Sequence, residues 1–155
     1  MADRILVDTN ILLYAYDRGE PLKQPRAFAV LDRLVAHGLG SLTSQVLAEF
    51  FVNATRKLQP PLAIEEACDC IQNYLLSWEI LDVTGAIVLE AARGVRMHRM
   101  AYWDAQIWAS ARLNQIPIVL SEDFGDGVII EGVRFVNPFG TGFNLEGWLL
   151  GSRST

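Results

Sequence analysis

Four acidic residues stand where the surrounding sequence predicts a strand end or a buried helix face. Asp8 and Asp123 come after short apolar runs, whereas Glu49 and Asp104 lie within apolar helical segments. The neighbours of Asp104 at helical spacing are all apolar, namely Met100, Ala101, Ile107 and Trp108. A buried carboxylate is costly unless it has a cation, an Arg or Lys partner or a raised pKa. The four acids are therefore candidates for chemistry.

The chemistry that such a group of acids predicts is metal binding. Carboxylates that share a site without counterions repel one another, so hard divalent cations such as Mg²⁺ or Mn²⁺ are their natural partners. In an open parallel sheet, ligands bind beyond the carboxyl ends of the strands, which is where Asp8 and Asp123 stand. A fold that alternates strands and helices would bring all four acids to this edge.

Each acid also has a plainer interpretation. An Asp or Asn after a strand is commonly a helix cap or a turn residue, which applies to Asp8 and Asp123. Asp104 can be an N-terminal acid that the helix dipole favours. Glu49 can be the polar edge of its helix. The shared site is favoured by the four acids taken together, and by none of them alone.

The hydrophobic pattern predicts strands that alternate with helices. Strands are expected over residues 4–7, 40–42, 78–83, 116–120 and 134–136, and helices over residues 11–16, 26–37, 44–58, 64–76, 85–97 and 101–114. Thr43 or Ser44, and Thr84, are the expected caps of two helices. The predicted fold class is α/β, a single domain with a mostly parallel central sheet of about five strands, flanked by helices in three α/β/α layers.

The composition limits the class of protein. The chain has 155 residues and a formal net charge of −5, which would ordinarily argue against a nucleic-acid partner. Acids gathered around a metal ion would raise the negative count while the ion meets the phosphates, so the charge does not decide the partner. Without a secretory signal or an apolar run of about 18 residues, a cytoplasmic protein is expected. Cys68 and Cys70 are expected to be free thiols.

Five segments of the chain carry a more specific signal. They are VDTNILLYAYD at 7–17, SQVLAEFF at 44–51, YWDAQIWASA at 102–111, PIVLSEDFGDG at 117–127 and GVRFVNPF at 132–139. These segments resemble the PIN domain, most closely the VapC-like toxin ribonucleases of prokaryotic toxin–antitoxin pairs. The resemblance implies a PIN-like nuclease domain over residues 1–139. Residues 140–155 would form a C-terminal tail, with apolar Phe143, Trp148, Leu149 and Leu150, that packs on the domain or on a partner.

The resemblance implies that Asp8, Glu49, Asp104 and Asp123 are a catalytic quartet that binds one or two Mg²⁺ or Mn²⁺ ions. Asp8 would be the central ligand, and Asp104 and Asp123 would complete the carboxylate cage. Glu49 would bind a second ion or orient and deprotonate the attacking water. Such an ion lowers the pKa of water and neutralises charge that builds during in-line displacement.

The same resemblance implies which residues support the metal site and which reaction the site catalyses. Asn10 and Ser121 match polar positions beside the metal, and Asp126 is a further candidate acid. The implied reaction is hydrolysis of an RNA phosphodiester that leaves a 5′-phosphate and a 3′-hydroxyl. The implied partners are an RNA substrate, a cognate antitoxin protein and a second copy of the chain in a homodimer.

Residues outside the quartet would have to bind the phosphates and bases of the RNA. The tentative phosphate contacts are a basic run before the Asp104 helix, namely Arg93, Arg96, His98 and Arg99. A helix C-terminus also favours cations, which explains the same run without RNA. Tyr14, Tyr16 and Trp103 could stack on bases, but aromatic residues in apolar segments usually belong to the core, which is the expectation here.

The sequence leaves two alternative functions to consider. A haloacid-dehalogenase-like phosphatase also places an Asp after its first strand, but it needs a second acid two positions later, where this chain has Asn10. The other rival is a non-catalytic PIN-like protein-binding module. A Ser-His-Asp hydrolase is not indicated, because the chain has no G-x-S-x-G segment and only His37 and His98.

Overall fold

Strands and helices alternate along the chain, as the hydrophobic pattern predicts. In the computed structural model, which describes residues 3–149, the strands are Ile5–Val7 (β1), Gly40–Thr43 (β2), Glu79–Leu81 (β3), Ile118–Leu120 (β4), Ile129–Ile130 (β5) and Val133–Val136 (β6). The helices are Thr9–Ala15 (α1), Lys23–His37 (α2), Ser44–Arg56 (α3), Ile64–Ser77 (α4), Gly85–His98 (α5), Tyr102–Leu113 (α6) and Leu145–Leu149 (α7). The predicted three-layer α/β/α fold is confirmed.

The sheet has the strand order β3-β2-β1-β4-β6-β5. All neighbouring strands are parallel except β5 and β6. Every residue of β1 and β4 is buried, because helices cover both faces of a parallel sheet. Ile5 of β1 pairs with Ile118 of β4, and Val7 pairs with Leu120. The residues that follow these two strands therefore leave the sheet side by side.

The sheet has six strands among the described residues, not about five. The strand missing from the prediction is β5, which has two residues and pairs antiparallel with β6. Residues 128–130 are Val-Ile-Ile, a β-branched run typical of a strand, so the prediction missed a signal that the sequence contains, although Ile129 is 56% exposed. The turn between the two strands passes through Glu131 and Gly132, which both have positive φ angles.

Helix starts follow the local chemistry closely. The side chain of Thr43 accepts a hydrogen bond from the Val46 amide and caps α3, and Thr84 caps α5 through the Ile87 amide. Helix α2 begins at Lys23, before Pro25, whereas the prediction placed its start after this proline. A proline in the first turn costs no helical hydrogen bond, because the amides there have no partner within the helix.

Other features of the chain bear on its surroundings. No helix within residues 3–149 is long and apolar enough to cross a membrane. Cys68 and Cys70 are free thiols, as expected. In the predicted tail, Phe143 and Leu145 pack against the core, and the Glu146 carboxylate accepts two hydrogen bonds from Arg33 of α2. The side chains of Trp148 and Leu149, and residues 150–155, lie outside the described residues.

Candidate active site

The four candidate acids line one pocket at the carboxyl edge of the sheet. Its volume is about 170 Å³, and its lining consists of Asp8, Thr9, Asn10, Leu13, Gln45, Glu49, Asn53, Trp103, Asp104, Ile107 and Asp123. Asp8 and Asp123 follow β1 and β4, whereas Glu49 and Asp104 are presented by α3 and α6. The fold thus brings together residues that are up to 115 positions apart in the chain.

Asp8 is the most buried acid of the pocket. It caps α1, and its side chain is held from two sides by the Thr9 amide, at 2.7 Å, and the Ser121 hydroxyl, at 2.7 Å. Burial raises the pKa of Asp8 to about 7, and the nearby charges of Asp123 and Glu49 add to this effect, although the two hydrogen bonds oppose it. Without a cation beside it, Asp8 therefore keeps its proton up to near neutral pH.

Glu49 is fixed by a chain of hydrogen bonds. The Thr9 hydroxyl donates to Glu49 Oε2 at 2.9 Å, and Gln45 Nε2 donates to Glu49 Oε1 at 2.7 Å. Gln45 in turn accepts from Gln106 Nε2, and Gln106 accepts from the Tyr102 hydroxyl. This network orients Glu49 as an acceptor. Sequence reasoning missed Gln45, although its position one helical turn before Glu49 is the signal that could have found it.

Asp104 and Asp123 are held less firmly. Asp104 lies in the first turn of α6, and burial together with the charges of Asp123 and Glu49 raises its pKa. Asp123 is exposed. In the part of the chain that the structure describes, the carboxylate of neither residue accepts a hydrogen bond. These two side chains are therefore free to turn towards a ligand in the pocket.

The supporting residues fall into two groups. Asn10 lines the pocket, and its Oδ1 accepts a hydrogen bond from the Glu122 amide at 3.3 Å. Ser121 donates to Asp8 and accepts from the Asp123 amide. Asp126 is outside the pocket lining, because its carboxylate accepts a hydrogen bond from the Asn137 amide and closes the loop before β6.

The basic run does not reach the pocket. Arg93 donates hydrogen bonds to Glu90 and Glu131. Arg99 ends α5 in a left-handed conformation, and Arg96 lies in the last turn of α5, where it lines a separate cavity of about 590 Å³. Contact of these arginines with RNA stays a prediction.

The aromatic residues divide in a way that the sequence did not predict. Tyr14 packs against Phe139, and Tyr16 packs against Phe50. Trp103 is 62% exposed and lines the acidic pocket. The expectation that it belongs to the core is wrong, because its position beside Asp104 in the first turn of α6 faces the pocket mouth and not the sheet.

The donor set of the pocket fits a hard divalent cation. No Lys, Arg or His contributes to its lining, so the four carboxylates have no cationic side chain between them. Among the described residues, no three His, Cys, Asp or Glu side chains stand close enough to hold one ion as they are oriented. Mutual repulsion keeps such carboxylates apart, and a cation would draw them inward. Asp8, Glu49, Asp104 and Asp123 are the residues that could bind it.

Comparisons with known proteins identify the family and the fold. The family model of the PIN domain matches residues 5–125. The structure is similar to a toxin–antitoxin complex from Klebsiella pneumoniae, with a TM-score of 0.64 and 19% identity over 87% of this chain and 98% of the other. It is also similar to VapC20 from Mycobacterium tuberculosis, described as a sarcin–ricin loop cleaving toxin, with a TM-score of 0.62 and 21% identity over 84% and 98% of the two chains.

A third similar structure is DNA-bound VapBC from Salmonella typhimurium, with a TM-score of 0.62 and 17% identity over 87% of this chain and 98% of the other. No curated protein matches the sequence. At these identities the structural likeness shows a shared fold, and it leaves the chemistry to be argued from the pocket.

Proposed function

The chain belongs to the PIN-domain family, and on that premise we propose that it is a metal-dependent endoribonuclease, the toxin of a type II toxin–antitoxin system. The observation that carries the proposal is the pocket in which four carboxylates meet without a basic side chain. Such a pocket suits a phosphodiester substrate only when divalent cations stand between the acids and the phosphate.

The side chains of the pocket have separate roles in this proposal. Asp8, Asp104 and Asp123 would hold Mg²⁺ or Mn²⁺, and Asp8 is the ligand whose position the protein fixes most firmly. Glu49 accepts hydrogen bonds from Thr9 and Gln45, so its carboxylate is oriented to accept a proton from the attacking water at Oε1 or Oε2. When bound, the ion would lower the pKa of water and neutralise charge on the phosphate.

Asn10 and Ser121 act on the acids and not on the substrate. Ser121 bridges Asp8 and the Asp123 amide through one hydroxyl, and Asn10 ties α1 to the segment after β4 through the Glu122 amide. Both contacts hold the two strand ends together. These contacts would hold Asp8 and Asp123 where both carboxylates could bind an ion.

An antitoxin protein is the proposed partner. Similar structures include toxin–antitoxin and VapBC complexes, which supports a small partner protein for this chain. A homodimer is proposed as well, and Ile64, Leu75 and Leu76 are exposed apolar residues of α4 that are available for it. Light scattering of the purified chain, alone and co-expressed with any small open reading frame found beside its gene, measures both assemblies.

The rival functions have less support. Membership in the PIN family argues against a haloacid-dehalogenase-like phosphatase. Such an enzyme also needs a second acid two positions after the first, where this chain has the amide of Asn10. A non-catalytic binding module would gain nothing from a buried carboxylate that no cationic side chain neutralises, since such a group costs stability.

The decisive experiment compares two Asp→Asn variants that change the charge equally. Asp8→Asn is expected to abolish RNA cleavage in Mg²⁺ or Mn²⁺ while circular dichroism shows a native fold. The control is Asp17→Asn, because Asp17 lies outside the pocket lining and its carboxylate accepts a hydrogen bond from the Gly19 amide. Cleavage by wild type should stop in EDTA and leave 5′-phosphate ends. Undiminished cleavage by Asp8→Asn, or cleavage that EDTA does not affect, would contradict the proposal.

A further inference from the structure

Trp103 is an exposed aromatic residue beside the acids. Its indole is 62% exposed, and among the described aromatic side chains only Phe28 is equally exposed. The backbone carbonyl of Trp103 accepts a hydrogen bond from Gln45, and its ring meets Tyr102 edge-on with centroids 5.0 Å apart. The indole is thus anchored at its backbone and on one side, while most of its surface faces solvent.

A second, larger cavity opens next to the acidic pocket. It has a volume of about 490 Å³ and is lined by Ser44, Gln45, Ala48, Glu49, Val83, Trp103 and Gln106. Gln45, Glu49 and Trp103 line both cavities, so the two adjoin each other along these side chains and are treated together as one groove. The acids occupy one end of the combined groove, and the indole with Ala48 and Val83 forms an apolar wall at the other.

We propose that Trp103 and this second cavity form a nucleobase subsite, which binds the base of a nucleotide next to the phosphate in the acidic pocket. The inference rests on the proposed nuclease function. A nucleotide places a flat, weakly polar ring within a few ångströms of its phosphate, and the groove offers carboxylates for metal-bridged phosphate at one end and an indole face at the other. Stacking of a base on an aromatic side chain contributes about 1–3 kcal/mol.

The polar groups of the subsite indicate how selective it is. The amides of Gln45 and Gln106 are occupied by their hydrogen bonds to Glu49, to each other and to Tyr102. The Ser44 hydroxyl already accepts a hydrogen bond from the Val83 amide. With few open donors and acceptors, the subsite holds a base by stacking and accepts different bases, with purines favoured by their larger face.

The test combines protein variants with a modified substrate. On intact single-stranded RNA, Trp103→Ala should lower kcat/KM about tenfold or more, mainly through KM, and Trp103→Phe should recover much of the loss. Phe28→Ala removes an equally exposed aromatic ring from a different surface and should change kcat/KM less than twofold. The cleavage site is mapped first, and RNAs are then made that lack the base on one or the other side of it.

The abasic substrates separate stacking from a structural role. On one of them, wild type should fall to the rate of Trp103→Ala, and Trp103→Ala should lose nothing more. The subsite is overturned if Trp103→Ala lowers kcat/KM by the same factor on abasic RNA as on intact RNA. It is also overturned if Trp103→Ala lowers kcat/KM less than twofold on intact RNA. Unchanged RNA kinetics together with weaker binding of the co-expressed small partner would assign the indole to a protein contact instead.

A binding measurement keeps the subsite separate from the nuclease proposal. Anisotropy of fluorescein-labelled oligoadenylate is measured in Ca²⁺, which carboxylates also bind, so that the phosphate can be bridged to the acids, and a gel checks that the RNA stays intact. Weaker binding by Trp103→Ala, with Phe28→Ala unchanged, supports the subsite even if wild type cleaves no RNA, a result that contradicts the proposed function alone. Equal affinity of all three proteins overturns the subsite, and it leaves the nuclease proposal standing if wild type cleaves RNA.

Discussion

Two groups of carboxylates in this protein meet opposite conditions. In the acidic pocket, four acids converge, and no Lys, Arg or His lines it. The other group, which we call the ion-pair cluster, consists of Glu90 and Glu131. These two acids form salt bridges with Arg93, Arg112 and His98. Hydrogen bonds from Arg93 and His98 lower the pKa of Glu131 to about 2, whereas burial raises the pKa of Asp8 to about 7.

The contrast separates carboxylates that stabilise the fold from carboxylates that cost stability. In the ion-pair cluster every charge has a partner, and the cluster joins α5 and α6 to the turn before β6. In the acidic pocket the charges repel one another, a cost that a protein keeps only where a ligand offsets it. The net charge of −5 does not reveal this division, because it counts both groups alike.

The largest expected effect is on catalysis. Asp104→Asn should lower the rate of RNA cleavage at least about 100-fold if Asp104 is the proposed metal ligand, because losing a ligand costs no less than losing a group that merely orients one. Glu131→Gln removes the same charge from the ion-pair cluster and should leave the rate within about twofold of wild type. The rates are measured on labelled RNA in Mn²⁺. Similar losses in both variants would erase the functional distinction between the two groups.

The next effect is on metal-linked stability. An ion at 100 times its dissociation constant stabilises the folded state by about 2.7 kcal/mol, so Mn²⁺ should raise the Tm of wild type by about 5 °C or more relative to EDTA. Glu131→Gln should keep this increase, and Asp8→Asn should lose most of it. Differential scanning fluorimetry measures the shift, and an equal shift in Asp8→Asn would place the ion elsewhere.

A smaller effect is the pH dependence of the metal-free protein. Unfolded Asp titrates near 3.9, and folded Asp8 has a pKa of about 7. Between these values the folded state holds a proton that the unfolded state has lost, so this carboxyl makes stability fall as the pH rises from about 4 to 7. In EDTA, the Tm of wild type should fall by a few degrees more than that of Asp8→Asn over this range. Parallel curves would show that Asp8 ionises normally.

The smallest effect is the loss of one ion pair. Glu90→Gln should lower the free energy of unfolding by about 1 kcal/mol, because Glu90 accepts hydrogen bonds from both Arg93 and Arg112. The loss should shrink in high salt, which screens the remaining attraction. Urea unfolding at two salt concentrations measures it, and a stability gain in Glu90→Gln would contradict the view that this cluster supports the fold.

Much of the fold could be predicted because it depends on local patterns. The apolar runs of β1 and β4 and the cap Thr84 are read directly from neighbouring residues, and Thr43 is one of the two caps expected for α3. Strand β5 was missed although residues 128–130 are Val-Ile-Ile, since so short a strand is stabilised by its pairing with β6. The start of α2 was misplaced because Pro25 was given the meaning it has inside a helix.

The sequence predicts the acids that line the candidate site, but not the hydrogen bonds that position them. Acids at strand ends are visible in the sequence, and the sheet topology brings them to one edge. The hydrogen bonds from Gln106 to Gln45 and from Gln45 to Glu49 depend on how α6 packs against α3, which no local pattern specifies. The exposure of Trp103 has a related origin, because seven consecutive residues of α6, 105–111, are buried, so the helix has no single apolar face from which the exposed side could be predicted.

The pairing of β1 with β4 also decides when the pocket can exist. The Ser121 hydroxyl and the Asp8 carboxylate that it bonds are 113 residues apart in the chain, and contacts between such distant residues form slowly and only after both strands are available. A growing chain that ends before β4 contains Asp8, Glu49 and Asp104 but has no strand to close the sheet beside β1. The pocket, and any activity that depends on it, would therefore appear only near the end of synthesis.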